Sequence, residues 1–153
     1  MAEIGFYHLT RSSAEQALPR LLGRTLEAGR RALVLCRDEA RVQALDDSLW
    51  KAPDPVWLPH GSAKLGHAAL QPIWIAAAPE ADRPAQAPNA ASYLFLLDGV
   101  TTRLDGYERA FDLFDGSDEQ AVATARQRWS GLKTAGHTLA YWRQDTKGWT
   151  RAG

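Results

Sequence analysis

The residues able to do chemistry in this chain are a pair of spaced glycines, one acidic strand end, one thiol and four histidines. Gly61-Ser62-Ala63-Lys64-Leu65-Gly66-His67-Ala68 has the glycine spacing of a phosphate-binding loop. His67 and Ala68 stand where the Lys and the Ser or Thr must follow, so nothing reaches the terminal phosphates and nothing ligates Mg²⁺. Leu94-Phe95-Leu96-Leu97-Asp98 mimics an apolar strand ending in a metal-binding Asp, but any central strand that ends at a turn has the same form. No G-x-G-x-x-G follows the first apolar run. Cys36 ends an apolar run, with Arg37 and a helix start behind it, features that lower a thiol pKa. A small buried side chain finishing a strand is the preferred reading. His8, His60, His67 and His137 lack metal-ligand spacing, one Cys cannot build a thiolate site, and no G-x-S-x-G is present. The sequence therefore points away from catalysis and implies neither cofactor nor metal. A nucleotide-binding enzyme using residues 61–66 and Asp98 stays as the alternative.

Charge and aromatics suggest partners instead. Lys and Arg total 18 against 18 Asp and Glu, a balance unlike that of a protein that coats nucleic acid. The balance is uneven along the chain. Residues 126–153 carry Arg126, Arg128, Lys133, Arg143, Lys147 and Arg151 against Asp145 alone, net +5, which leaves −5 on residues 1–125. Such a segment suits an anionic partner, and it also fits a solvated helix face with a loose basic tail. Direct binding of single-stranded nucleic acid through it is a further alternative. Six Trp in 153 residues is a high count. Trp74 and Trp142 read as core strand positions. Trp50 and Trp57 flank Lys51-Ala52-Pro53-Asp54-Pro55, where they are either partner anchors or rings folded onto the core edge.

The elements that must position these residues alternate. Strands are expected at Ile4–Leu9, Ala32–Cys36, Val56–Leu58, Ile73–Ala76, Tyr93–Leu97 and Thr138–Trp142, with 107–114 ambiguous between strand and helix. Ser12 with Glu15 opens a first helix, with Pro19 a predicted kink and Gly29 its stop. Asp38 caps a second helix ending near Trp50. Ser117 with Gln120 caps a third, whose inward stripe is Val122, Ala125, Trp129 and Leu132, closed at Gly136. Residues 77–91 read as a surface loop and 145–153 as a turn and basic tail. The expected fold is α/β: one domain over residues 1–153, a mostly parallel sheet with helices on both faces, Rossmann-like without a phosphate loop. The N-terminus shows no signal-peptide pattern and no apolar run approaches the roughly 20 residues of a membrane span, so a cytoplasmic location is expected.

Phe6-Tyr7-His8-Leu9, Arg31-Ala32-Leu33-Val34-Leu35-Cys36 with Asp38-Glu39, Leu45-Asp46, Leu49-Trp50, Leu58-Pro59-His60 and the last helix through Ala135-Gly136 form an ordered series. That series resembles the chi subunit of bacterial DNA polymerase III over nearly the whole chain. The resemblance implies a non-catalytic accessory subunit of the clamp-loader assembly, working in DNA replication. It implies one face for the psi subunit, with Trp50, Trp57 and His60, and another for the acidic, aromatic-ended C-terminal tail of single-stranded DNA-binding protein. On the second face the tail-binding arginine falls on Arg126, beside Trp129. Two basic positions of the family fall on Ser130 and near Val122, leaving Arg128 or Lys133 to substitute.

Overall fold

A computed structural model describes residues 3–51, 59–62, 67–78, 89–102, 104, 106–145 and 148–152. Eight strands form one open sheet: β1 (Glu3–Leu9), β2 (Ala32–Cys36), β3 (His60–Ser62), β4 (Ile73–Ala77), β5 (Tyr93–Leu96), β6 (Arg109–Asp115), β7 (Thr138–Asp145) and β8 (Gly148–Arg151). Their spatial order is β3-β4-β2-β5-β6-β1-β7-β8. Every pairing is parallel except the antiparallel β7–β8 hairpin. Three helices complete the order, α1 (Ala14–Glu27) after β1, α2 (Glu39–Lys51) after β2 and α3 (Glu119–Thr134) after β6.

The apolar sequence runs explain this arrangement. β2 reads Ala-Leu-Val-Leu-Cys and is buried at every position, because parallel central strands are covered on both faces. On one face Leu18, Leu21 and Leu22 of α1 and Val42, Leu45 and Leu49 of α2 pack against Val34, Ile75, Phe95 and Leu113. On the other, Val122, Ala125, Trp129 and Leu132 of α3 cover Ile4, Phe6, Leu35 and Phe114. The α3 stripe is the one its spacing predicts. The α/β class with helices on both faces is as expected.

The local differences have local causes. Ser13, not Ser12, caps α1, in a capping box with Gln16, because the Ser12 hydroxyl accepts from Gln144 Nε2 at 2.7 Å. Asp118, not Ser117, caps α3, accepting from the Gln120 and Ala121 amides, while the Ser117 hydroxyl donates to Asp115. α1 continues through Pro19, which is buried inside it. Residues 109–115 resolve the ambiguity as a strand. Gly29 and Gly136 stop α1 and α3 with φ of 74° and 89°, a left-handed backbone that suits glycine. Part of the segment expected as a tail is strand β8, paired to the open side of β7. The strand expected at Val56–Leu58, most of the 77–91 loop, and Ala63 to Gly66 of the phosphate-loop-like segment lie outside the described residues.

Candidate functional site

Three places gather polar or aromatic side chains: the crevice at the carboxyl ends of the strands, the outer side of α3, and the β3 edge. The crevice forms because β1 and β6 are neighbours whose following helices leave to opposite faces of the sheet, the usual position of an α/β ligand site. It is a cleft of about 770 Å³ lined by Arg11, Glu15, Arg37, Arg41, Asp98 and Asp118 among others. Several of its polar groups are already matched within the chain. Arg41 pairs with Glu15 and, at 3.2 Å, with Asp98. The Glu15 carboxyl is held below its usual range mainly by the Arg41 hydrogen bond, against the opposing effect of burial. The amides of Thr10, Arg11 and Ser12, where a nucleotide fold of this topology would meet phosphate, all donate to Gln144 Oε1 at 3.2, 2.9 and 3.1 Å. Cys36, at the end of β2, is fully buried, and burial with Asp98 nearby pushes its thiol up to about 11. That favours the structural reading of Cys36 over a reactive thiolate.

On α3, the spacing of three brings Arg126 and Trp129 to one side of the helix. Trp129 is half-buried and packs edge-on against Phe6 at 5.3 Å and Tyr141 at 5.8 Å. Arg126 and Lys133 are exposed. Arg128 is not a free cation. Its Nε and Nη2 donate to the two carboxylate oxygens of Asp112 at 2.7 and 2.9 Å, and the two side chains are only 11% and 4% exposed. Ser130 is exposed and Val122 half-buried against the core, so neither adds charge.

The structure adds three residues to this side that the sequence did not single out. His8 lies on the same face of the sheet, hydrogen-bonded through Nδ1 to the Tyr141 hydroxyl. Its pKa is lowered by burial first, then by the positive fields of Arg143 and Arg126. Alternation along β7 puts Tyr141 and Arg143 on the α3 face. Arg143 was visible in the sequence only as part of the basic count. Gly116 makes room for His8: a Cβ there would lie 2.2 Å from the imidazole.

At the far edge of the sheet, Trp50 closes α2 and is 56% exposed. Its ring lies 4.3 Å from that of His60 on β3. His60 is buried, and its Nε2 is 3.2 Å from the Asp46 carboxylate. The ring of Trp50 is thus held outward by a fixed neighbour rather than folded into the core. Trp74, by contrast, is buried and Trp142 half-buried, as strand positions. Trp57 lies outside the described residues. Among those residues no group of three or more His, Cys, Asp or Glu could hold a metal ion, and no helix is long and apolar enough to cross a membrane.

Comparison with known proteins gives one consistent result. A family profile described as DNA polymerase III chi subunit, HolC, matches residues 1–140. The DNA polymerase III subunit chi of Escherichia coli (strain K12) is 26% identical over 131 residues, which span 84% of this chain and 84% of that protein.

Proposed function

This chain belongs to the DNA polymerase III chi subunit family, an accessory family of the replicative polymerase, and from that premise we propose that it is a non-catalytic bridge in the cytoplasmic replication machinery. One contact is with the psi subunit, through Trp50, Trp57 and His60. The other is with the acidic, aromatic-ended tail of single-stranded DNA-binding protein, through Arg126, Trp129 and Lys133. Two modest contacts joined by one rigid body raise the effective concentration of the polymerase at coated template, which is how a protein without chemistry of its own speeds a reaction.

The observation that carries the reading is the α3 side. The exposed Arg126 stands three residues before the half-buried Trp129, which packs edge-on against the half-buried Tyr141. A tail ending in an aromatic residue needs a guanidinium for its carboxylate and an apolar seat for its ring. Arg128 serves as an internal support, since its charge is spent on Asp112. The enzymatic alternative finds less support, because the amides after β1 are occupied by Gln144.

The test is calorimetric titration with a synthetic tail peptide and with the same peptide lacking its last residue. Arg126→Ala should weaken binding by about 1.5–3 kcal/mol, the range for a hydrogen bond to a charged group. The shortened peptide should bind far less. Equal affinity for both peptides, or no response to Arg126→Ala in a folded protein, overturns the site.

A further inference from the structure

A second cavity lies on the opposite face of the sheet from α3, beneath the C-terminal half of α1. Its volume is about 260 Å³, and its walls include Tyr7, Tyr93, Phe111, Trp142 and Trp149, with Arg109 at the floor. Arg24 reaches it from the last turn of α1. The cavity shares no lining residue with the crevice or the α3 side. Trp142 and Trp149 come from β7 and β8, beyond residue 140, where the family match ends.

The rings form an ordered wall. Tyr7 lies parallel to Trp142 with centroids 6.3 Å apart and meets Trp149 edge-on at 5.0 Å. Its ring folds back over Gly5, where a Cβ would lie 2.8 Å away, so glycine is required there. Arg109 stacks on two of the rings, with its guanidinium carbon 4.9 Å from the centre of Phe111 and 5.6 Å from that of Tyr93.

The arginines of this wall have no ion-pair partner among the described residues. The Nε of Arg109 is buried and has no hydrogen-bond partner. Among the described residues no carboxylate lies within ion-pair distance of Arg109 or Arg24. Glu3, the register neighbour of Arg109 on β1, bonds to neither. A buried, unpaired N–H on a cation is costly, and a guanidinium stacked by its face keeps its in-plane N–H groups free for a forked acceptor. The Tyr7 hydroxyl lies in the same field: burial raises its pKa, Arg109 and Arg24 pull it back, and Glu3 adds a smaller upward push.

We propose that this cavity binds a planar aromatic ring carrying a carboxylate, the ring lying against Trp142, Trp149 and Tyr93 and the carboxylate meeting Arg109 and Arg24. A cavity slightly below the roughly 300 Å³ of the smallest drug-sized sites takes one such fragment and little more. Two sources share this chemistry, a free aromatic acid and the last residue of a peptide. The inference is independent of the α3 site, which is made of other residues.

The experiment is calorimetric titration of the full chain with indole-3-acetate, N-acetyl-phenylalanine and N-acetyl-phenylalaninamide. The amide keeps the ring and removes the charge. Saturable binding of either acid, at least tenfold weaker for the amide, is expected. Arg109→Met, which keeps the packing of the stem, should weaken acid binding at least tenfold, and Trp149→Ala, on the edge strand, should do the same. Arg126→Ala should leave it unchanged. Binding of indole-3-acetate assigns the free acid as the source, and binding of N-acetyl-phenylalanine alone assigns the peptide end. No binding of either acid at millimolar concentration, equal binding of the amide, or loss on Arg126→Ala in place of Arg109→Met overturns the proposal. Shifts of the Trp142 and Trp149 indole N–H resonances on titration supply the second readout, should a variant fail to fold.

Discussion

His8 is a titratable reporter on the side of α3. Burial, Arg143 and Arg126 all lower its pKa from the ordinary 6.5, outweighing the hydrogen bond with Gly116 that raises it. A base whose folded pKa is depressed takes up its proton more readily in the unfolded chain. Its linkage therefore costs nothing well above pH 6.5 and erodes stability as pH falls through 6.5 toward the folded value. An NMR titration should place the His8 midpoint below 6.5 in the native chain and closer to it in Arg126→Ala; an unmoved midpoint would show that the arginine does not face the ring. Arg128 illustrates what a sequence hides at this scale. It reads as one more surface cation, yet it answers Asp112, an acid set at an inward position of a strand otherwise as apolar as Phe111, Leu113 and Phe114. That inward acid was the available signal, because a buried carboxylate demands a partner. Arg128→Leu should lower the denaturant midpoint by the equivalent of about 3–5 kcal/mol, the cost of leaving a buried charge unpaired. A loss below 1 kcal/mol, roughly the value of an exposed pair, would place the pair at the surface instead.

Among the elements, the ends were harder to read than the middles. β2 and the buried stripe of α3 follow directly from apolar spacing. The caps moved by one residue, since Ser12 and Ser117 each found a competing partner, Gln144 and Asp115, that spacing along the chain cannot reveal. β8 escaped notice because Gly148–Arg151 has no apolar run; its backbone is ordered by the free edge that β7 offers. α2 was legible through its last turn, but whether Trp50 faced inward or outward depended on β3, a three-residue strand that places His60 beneath the ring. With Trp50 more than half exposed, Trp50→Ala should leave the melting temperature of the isolated chain nearly unchanged. It should weaken psi binding by about 2 kcal/mol or more, as truncation of a central interface tryptophan does. A fallen melting temperature with intact psi binding would assign the ring to the fold and not to the partner.

For the molecule as a whole, strand–helix alternation was sufficient to foresee a parallel sheet covered on both faces, while the strand order was not foreseeable. β1 and β2 follow one another in the chain, yet β5 and β6 stand between them, a choice made by burial over long separations. That order has a consequence in time. Among the described residues β1 pairs with β6 and β7 and with no other strand, so it is bonded only by segments synthesised well after it. At roughly 5–20 residues per second, the stretch between the end of β1 and the start of β6 takes on the order of 5–20 s to synthesise. Throughout that interval Ile4, Phe6, Tyr7 and Leu9 have no neighbouring strand to pair with. A fragment ending at residue 108 should therefore show no cooperative thermal transition, and a separately made 109–153 segment should restore it. A fragment that melts cooperatively by itself would mean that β2, β4 and β5 form a folding unit without β1. If the fragment stays unfolded, the nascent polypeptide holds Ile4–Leu9 as an adhesive, unpaired segment until β6 has been made, and depends on a holding chaperone over that interval.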